Sequence, residues 1–465
     1  MKFPFLHSWP RRLHGPGTMP RRHAMACLSL GLLGLALALL APAPTARATP
    51  VTLKATRDLV WKDFLGVNAH FLWFEPQQYL QQMQRLKALG LEWVRVDLHW
   101  DIHEPRQGQL RLGELDALTD SLAREQLKSV FYLVGSAPFA SSAPLGTTSH
   151  LDQYPPKDPG EFAARMAMLA QRYPMVNAWQ VWNEPNITPF WRPLPDPAGY
   201  GQLLAASVSS LRAAAPGKPI LMAGMAYYSQ MSGREGLMLE ELFKLGAGQL
   251  GAIPAYHPYS QEPEGDVRTD NDFIVRSQII NEQLRAQAVP AIMATEWGWS
   301  SYDGPKEAQS IIGQDGQADY VLRRLALMAA LDYDRIFLFA LSDLDGRATA
   351  RDQHYGLLDL QGQPKPVYEA LQRLLQLTGP TLQPAPPPAL AQAPADLYSV
   401  SWQRPDDGRK VWMFWSRSGG TVRLNGVSKG TLHDPLTGSQ TTLGTDSASA
   451  PLAVPAAAHL QVLVW

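Results

Sequence analysis

The stretch AWQVWNEPN, residues 178–186, joins a short apolar run to an abrupt polar stop. The run is typical of a buried strand, and Pro185 cannot continue a hydrogen-bonded ladder because it has no backbone N–H. The carboxylate of Glu184 is therefore expected where a strand ends. A partly desolvated carboxylate has a raised pKa and suits acid/base chemistry, whereas most glutamates are solvated or form loop ion pairs. This stretch alone leaves both interpretations of Glu184 open.

A second stretch, PAIMATEWGW at residues 290–299, has the same organisation. A buried run is followed by Glu296 at its exit and then by aromatic residues and a glycine. Glycoside hydrolysis requires two carboxylates on either side of the scissile bond, which two strand ends can deliver to one face of a fold. Glu184 and Glu296 are therefore predicted to act as a pair.

Strand-like and helical patterns alternate from residue 51 onward. The helical segments repeat apolar residues at helical spacing, as in Tyr79, Met83 and Leu86. The strand-like runs are dense in branched and aromatic residues, as in parallel strands that are covered on both sides. Eight strand–helix units in order predict an α/β fold, a (β/α)8 TIM barrel. The predicted strands are residues 64–68, 92–98, 129–135, 178–183, 219–225, 253–259, 291–295 and 335–341.

The loops that follow the predicted strands are long, and those that follow the helices are mostly short. TIM-barrel enzymes place their chemistry on the loops at the carboxyl ends of the strands. Glu184 and Glu296 both lie at that end, which favours a functional interpretation of the pair. The long loops are residues 136–160, 185–195, 260–270, 298–317 and 342–364.

The N-terminus has the features of an export signal, assigned to residues 1–48. Arginines precede an apolar run at residues 28–41, and a small-x-small cleavage pattern ends at Ala48. The run is short for a transmembrane helix, so cleavage after Ala48 and a periplasmic or extracellular location are predicted. Retention as an inner-membrane anchor is the alternative. Cys27, the only cysteine, lies in this segment, so residues 49–465 can form neither a disulfide nor a thiolate metal site.

The composition changes after the barrel, which is assigned to residues 49–379. Residues 380–396 are rich in Pro and Ala and are predicted to form a linker. Short alternating runs in residues 397–465 predict a small antiparallel β-sandwich. Its aromatic residues Trp402, Trp412 and Trp415 could form a sugar platform, but core packing is the favoured interpretation.

Charge and motifs exclude several classes of protein. The chain has 41 Lys and Arg against 42 Asp and Glu, so no electrostatic feature suggests a nucleic-acid partner. No strand-to-helix elbow with Gly-x-Ser-x-Gly is predicted, and no His-Glu-x-x-His motif is present. A metal site at His99, His103 and Glu104 is disfavoured because Pro105 argues against a helix there. We therefore predict no metal and no cofactor.

The barrel resembles the clan A glycoside hydrolases, and within them family 39, particularly PslG-type enzymes encoded with exopolysaccharide biosynthesis genes. The resemblance covers about residues 51–379. It rests on motifs at the ends of the fourth, sixth and seventh strands and after the eighth, namely Asn183-Glu184-Pro185, His257-Pro258-Tyr259, Glu296-Trp297-Gly298, and the segments 355–359 and 364–368.

The resemblance implies a retaining mechanism in which Glu184 is the general acid and base and Glu296 is the nucleophile. It further implies that Asn183 hydrogen-bonds the sugar 2-hydroxyl and that Tyr259 donates to the nucleophile. Adjacent residues of an ideal strand point to opposite faces, so Asn183 and Glu184 can both reach the site only if the chain bends near Pro185.

Further substrate-binding residues are predicted around this pair. Arg95 is a charge inside a buried strand and needs a partner, for which Glu296 and Asp97 are both candidates. His257 shares a strand face with Tyr259. The remaining candidates are His70, Trp100 and Trp297. In the family the eighth strand often ends in an aromatic residue at the sugar site, but residues 339–343 contain no Trp, so Trp297 or Trp299 is expected to substitute.

The sequence thus predicts an exported retaining β-glycoside hydrolase, endo-acting on a bacterial exopolysaccharide. Its partner would be a polysaccharide or oligosaccharide, and a retained signal would add inner-membrane association. An exo-acting β-xylosidase or β-glucosidase is one alternative. A non-catalytic polysaccharide-binding protein of a biosynthesis complex is the other.

Overall fold

A computed structural model describes residues 49–265, 272–305, 309–445, 447 and 450–465. The predicted signal peptide, residues 1–48, lies outside the described residues. Within the described residues, no helix combines the length and apolarity that a membrane crossing requires.

The described chain contains a closed barrel of eight parallel strands, as predicted. Each strand pairs with the next along the chain, and the last pairs with the first through Ile336–Leu65 and Leu338–Val67. Each predicted run overlaps one observed strand. The strands are β1 (Leu65–Asn68), β2 (Trp93–His99), β3 (Lys128–Val134), β4 (Ala178–Val181), β5 (Ile220–Met225), β6 (Ile253–Tyr256), β7 (Met293–Trp297) and β8 (Arg335–Leu338).

Helices follow the barrel strands in order. Two of them begin with a capping aspartate before proline, where Asp158 accepts from the backbone N–H of Gly160 and Asp196 from that of Ala198. The helices are α1 (Pro76–Ala88), α2 (Gly113–Arg124), α3 (Pro159–Arg172), α4 (Pro197–Ala214), α5 (Met238–Lys244), α6 (Asp272–Ala286), α7 (Gly313–Ala330) and α8 (Pro366–Thr378). Single turns of helix lie at Trp61–Phe64, Phe71–Trp73, Trp100–His103, Leu151–Gln153, Tyr227–Ser229, Ala247–Leu250 and Asp352–His354.

Two packed sheets follow the barrel, which confirms the predicted β-sandwich. Their strands are β9 (Thr381–Pro384), β10 (Ala389–Gln392), β11 (Leu397–Gln403), β12 (Lys410–Ser416), β13 (Gly420–Asn425), β14 (Lys429–His433), β15 (Gln440–Gly444), β16 (Leu452–Ala456) and β17 (Gln461–Val464). In the described chain β10, β13 and β16 form the smaller sheet and the other six belong to the larger one. A separate core cluster that includes Trp412, Val422 and Val454 lies between the two sheets.

The domain boundaries differ from the sequence assignment in two places. The predicted linker, residues 380–396, contains β9 and β10, because its Leu382 packs into the core and its backbone finds strand partners. The strands Val51–Leu53 and Leu59–Val60, assigned to the barrel segment, pair with β11 and β9 of the sandwich. The chain segments immediately before and immediately after the barrel therefore both pair with strands of the sandwich.

The tryptophans of the sandwich belong to its core. Trp402, Trp412 and Trp415 have no exposed surface. They therefore cannot present a flat face to a sugar, and the core-packing interpretation holds.

Gly66 of β1 lies where the barrel leaves no room for a side chain. A Cβ there would come within 2.6 Å of the buried Phe337 ring and 3.0 Å of the Trp93 Cβ. We expect Gly66→Ala to lower the free energy of unfolding by about 1–3 kcal/mol, the usual cost of overpacking. Calorimetric melting would measure the loss.

Gly113→Ala is the matched control, since a Cβ at Gly113 meets nothing within 4 Å and alanine favours the start of α2. It should melt no lower than the wild type. Equal melting temperatures for the two variants would contradict the packing described for β1.

Candidate active site

The chain bends at the exit of β4 and directs Glu184 into the mouth of the barrel. Trp182 and Glu184 have positive φ values of 71° and 45°, which breaks the strand alternation. The Glu184 N–H donates to the Gly224 carbonyl of β5 at 3.0 Å and fixes the bend. Asn183 and Glu184 therefore both line the site, as the sequence required.

Glu296 reaches the same mouth from β7. One carboxylate oxygen from each of Glu184 and Glu296 and one His257 ring nitrogen all lie within 4.8 Å of one another. This spacing is close to the 5–5.5 Å of retaining glycosidases and below the 6.5–9.5 Å of inverting ones. His257 Nδ1 lies 2.7 Å from Glu184 Oε1 and 3.6 Å from Glu296 Oε2, so the imidazole bridges the two carboxylates.

His257 is held from its other side. Its Nε2 lies 3.0 Å from Thr295 Oγ1. A Cβ on Gly224 would lie 2.0 Å from this nitrogen, so only glycine fits behind the ring. The imidazole is thereby fixed between β5 and β7.

Arg95 lies buried at the centre of the site. Its guanidinium donates to Glu296 Oε1 at 2.7 Å and to Asn68 Oδ1 and Asn183 Oδ1 at 2.8 Å each. Its Nε donates to Gln180 Oε1 at 2.7 Å. Of the two partners left open by the sequence, the structure selects Glu296. Arg95 thus links β1, β2, β7 and the exit of β4.

Asp97 has two histidine partners instead of Arg95. Its carboxylate lies 3.0 Å from His70 Nδ1 and 3.3 Å from His99 Nε2. These interactions hold the pKa of Asp97 well below its usual value, although burial alone would raise it. Asp97 is therefore an ionised group that holds His70 and His99 near the carboxylates of Glu184 and Glu296.

The two glutamates have opposite pKa shifts. Burial raises the pKa of Glu184 above its usual value of 4.5, and its hydrogen bond to His257 only partly offsets this. Burial acts on Glu296 as well, but attraction to His257 and Arg95 outweighs it and lowers its pKa. The Tyr259 hydroxyl also donates to Glu296 Oε2 at 3.3 Å. Glu184 is therefore suited to hold a proton and Glu296 to stay ionised.

Glu184 keeps one oxygen for other chemistry. Its Oε2 is buried and accepts or donates no hydrogen bond among the described residues. A carboxyl oxygen without a protein partner is expected where a substrate atom or water will bind.

A small enclosed cavity adjoins both carboxylates. Its volume is about 20 Å³, room for roughly one water molecule, so side chains must move to admit a sugar ring. The cavity is lined by His99, Tyr132, Val134, Asn183, Glu184, Phe190, Glu296 and Phe339.

Three predicted aromatic contacts do not reach this cavity. Trp297 is fully buried in the main core, because it alternates with Glu296 along β7 and points away from the barrel interior. Trp100 donates to Glu104 Oε2 at 2.8 Å, and Trp299 donates to the Ser260 carbonyl at 3.0 Å. All three are packing residues and line no part of the site described here.

Phe339, immediately after β8, supplies the aromatic surface that the sequence seemed to lack. It lines the cavity and meets His70 edge-to-face at 5.3 Å between ring centres. Together with Tyr132 and Phe190 it was missed by sequence reasoning. A search for any aromatic residue at the eighth strand exit, rather than for Trp alone, would have found it.

The charged and polar side chains of the site do not form a metal site. Among the described residues, Glu184, His257 and Glu296 form the group whose ligand atoms are close enough for an ion. The Arg95 guanidinium and the Tyr259 hydroxyl already occupy Glu296, which does not fit a cation site. Glu104, considered with His99 and His103, is instead bound by Arg165 and Trp100.

No protein-family model matches the sequence, and no curated protein matches it. Solved structures do resemble it. A family 39 glycoside hydrolase from Bacteroides cellulosilyticus WH2 is 19% identical with a TM-score of 0.66, over 86% of this chain and 80% of that one. A monomeric β-xylosidase from Caulobacter crescentus CB15 is 17% identical with a TM-score of 0.59, over 90% and 99%.

A family 30 endoxylanase from Clostridium papyrosolvens C71 is 10% identical with a TM-score of 0.57, over 90% of this chain and 99% of that one. At these identities the likeness establishes the fold. It supports the resemblance to family 39 and clan A that the motifs suggested, and the PslG-type part of that resemblance stays a prediction.

The opposite pKa shifts predict opposite effects of two isosteric substitutions on thermal stability. A carboxyl whose pKa is higher in the folded state than in the unfolded state stabilises the fold at low pH, and this stabilisation is lost as the pH rises through the folded-state pKa. Ionised Glu184 therefore lowers the stability of the folded protein at pH 8. A carboxyl whose pKa is lower in the folded state stabilises the fold at high pH, and this stabilisation is lost as the pH falls through the folded-state pKa. Ionised Glu296 therefore raises the stability of the folded protein at pH 8. We expect Glu184→Gln to melt several degrees above the wild type at pH 8, and Glu296→Gln several degrees below it.

Each variant is the control for the other, because both replace a buried carboxylate with an amide of the same shape. Melting curves from pH 8 to pH 4 should show the two differences narrowing toward acid pH. Shifts of the same sign at pH 8 would contradict the assigned protonation states.

Proposed function

We propose that the chain is a retaining β-glycoside hydrolase. The observation that carries this proposal is the pair of buried carboxylates, Glu184 and Glu296, whose surroundings shift their pKa values in opposite directions at one barrel mouth. The similarity to family 39 and family 30 glycoside hydrolases supports it.

The proposed reaction has two steps. Glu296 attacks the anomeric carbon as the Glu184 proton passes to the glycosidic oxygen, so the aglycone leaves as an alcohol and a glycosyl ester forms. Glu184, now ionised, then removes a proton from water, which attacks the anomeric carbon and releases Glu296. Each step inverts the anomeric centre, so the configuration is retained overall.

Neighbouring residues have distinct tasks in this scheme. Arg95 keeps Glu296 ionised and aligns Asn183, whose amide nitrogen is directed to the sugar 2-hydroxyl in the proposed role. Tyr259 holds the second oxygen of Glu296. His257 contacts both glutamates and can stabilise Glu184 when its proton has left.

The burial of the site favours the exo-acting alternative over endo action on an exopolysaccharide. The catalytic carboxylates are 1% and 4% exposed, and the cavity beside them is small. The similar structure from Caulobacter crescentus is a β-xylosidase.

The chemistry is tested by Glu184→Gln and Glu296→Gln in residues 49–465, beside the wild type. We expect Glu184→Gln to lower hydrolysis by about 10²–10⁴-fold, as for loss of a general acid. Glu296→Gln should abolish turnover, and an activated 2-deoxy-2-fluoro glycoside should label Glu296 in a wild-type peptide. Full hydrolytic activity in either variant would exclude the assignment.

Substrate size is tested with aryl β-glycosides and β-linked polysaccharides in parallel. Release of single sugars without shorter polymers is expected for exo action. Oligosaccharide release from a polymer would support endo action instead. Tight polymer binding without turnover, kept in both variants, would favour the non-catalytic alternative.

Export is part of the proposal and rests on the sequence of residues 1–48. Expression of the full chain in a Gram-negative host followed by fractionation and N-terminal sequencing would test it. We expect a periplasmic or secreted protein that begins at Thr49. An intact N-terminus in the inner-membrane fraction would support the anchor alternative, and an intact cytoplasmic protein would refute export.

A further inference from the structure

The loop after β6, residues 257–265, carries two residues of the site and is tied down at its far end. His257 and Tyr259 contact the catalytic carboxylates at the start of the loop. Glu262 and Gly265 close a turn through paired backbone hydrogen bonds of 3.0 and 3.2 Å. Between the two ends the loop has no strand or helix of its own. Side-chain contacts therefore add to these backbone hydrogen bonds in fixing its shape.

Arg324 of α7 supplies the first set of these contacts. Its guanidinium is fully buried and donates to the carbonyls of Pro258 and Pro263 at 2.7 Å each and of Glu262 at 3.1 Å. It also donates to Ser260 Oγ. The loop therefore wraps around one cation that belongs to the barrel.

Glu264 supplies the second set, and its partners come from both domains. The carboxylate is fully buried and accepts from Arg323 of α7 at 2.6 Å. It also accepts from Trp415 Nε1 of β12 at 2.8 Å and from Arg417 at 2.7 Å, both in the sandwich. Arg417 reaches Glu262 as well, at 3.4 Å.

The contacts of Glu264 do more than join the two domains, because they also hold the loop. Burying a carboxylate is costly unless charged and hydrogen-bonding groups surround it, and two of the three groups here lie in the sandwich. If they are removed, Glu264 is expected to turn toward solvent. The loop would then lose the anchor five residues beyond Tyr259.

We propose that Arg417 and Trp415 of the β-sandwich are positioning residues of the active site, which act through Glu264 to hold His257 and Tyr259 against the catalytic carboxylates. The sandwich is then a working part of the catalytic centre. The inference rests on the proposed hydrolase function, and the backbone readout below is independent of that function.

The test compares Arg417→Met with Arg373→Met in residues 49–465. Arg417→Met removes the sandwich cation and leaves Arg323 on Glu264, which limits the damage to the fold. Arg373→Met also breaks a contact between the domains, because Arg373 of α8 donates to the Pro435 and Leu436 carbonyls at 3.2 and 2.8 Å. Arg373 touches no residue of the 257–265 loop, so it is the matched control.

Hydrogen exchange of the backbone amides in residues 256–265 measures the anchor directly. We expect faster exchange there in Arg417→Met and wild-type rates in Arg373→Met, with Arg417→Lys close to the wild type. Unchanged exchange in Arg417→Met, or equal acceleration in both Met variants, would overturn the proposal whether or not the chain hydrolyses a glycoside.

Kinetics test the catalytic consequence. We expect kcat/KM of Arg417→Met to fall by about 10- to 100-fold, the effect of a small misplacement of catalytic groups. The acidic limb of its pH–rate profile should move to higher pH, because the ionised form of Glu296 loses the hydrogen bond from Tyr259. Among the described residues, the charged or titratable groups that act on Glu296 include Arg95, His70, His257, Tyr259 and Glu184, with Tyr132, Tyr227 and Tyr355 beyond them. Arg417→Lys should recover most of the loss, and Arg373→Met should match the wild type.

The outcomes separate the two claims. If the wild type has no glycosidase activity, the proposed function is refuted. If hydrogen exchange in the loop still becomes faster in Arg417→Met alone, the claim that the sandwich anchors the loop stands. A fall in activity that is equal in both Met variants, with no movement of the acidic limb, would mean that the sandwich only stabilises the fold and would overturn the positioning role.

Discussion

The active site depends on one buried cation. The Arg95 guanidinium is 1% exposed, and a charge so placed is tolerated only when hydrogen-bond acceptors surround it. The barrel supplies the carboxylate of Glu296 and the amide oxygens of Asn68, Gln180 and Asn183. This set fixes the relative positions of the strands that carry the chemistry. The same interactions help to keep Glu296 ionised. The contacts that make the buried Arg95 tolerable are therefore also the contacts that set the charge of Glu296.

Glu184 lies in the opposite environment only a few ångströms away. It has no arginine partner among the described residues, its Oε2 has no hydrogen bond there, and burial raises its pKa. His257 acts on both carboxylates, so the asymmetry comes from the placement of Arg95 and His70 on the Glu296 side of the mouth. His257 touches both groups and couples them, so a proton that leaves one changes the field at the other.

The barrel and the meeting of Glu184 with Glu296 at its mouth were predictable because their signals are local. The alternation of apolar runs with helical patterns and the stop at Pro185 depend on neighbouring residues in the chain. The partners of Arg95 were narrowed to two, but the choice depended on barrel closure, which brings β2 opposite β7. Phe339 follows β8, Phe190 lies in the loop after β4 and Tyr132 lies within β3, and no spacing in the sequence reveals their meeting.

The errors have two physical causes. Trp297 was expected at the sugar site in place of an aromatic residue at the end of the eighth strand, but it is adjacent to Glu296, and adjacent strand residues face opposite sides. Asn183, which is also adjacent to a site glutamate, does line the site, because the chain bends at Glu184 and breaks the strand alternation. The Pro/Ala-rich segment 380–396 was expected to be a linker, but strand partners from residues 51–60 and from the sandwich give part of it regular structure. Such long-range pairings leave little trace in composition.

The measurement that tests the central claim most directly is a carboxyl titration of the two glutamates. The chain would be labelled with glutamate enriched in ¹³C at the side-chain carboxyl, and the two signals assigned by their loss in Glu184→Gln and Glu296→Gln. The account predicts a range of pH in which Glu296 is ionised while Glu184 is still protonated. Ionisation of both carboxyls together in the ordinary range, or of Glu184 first, would contradict it.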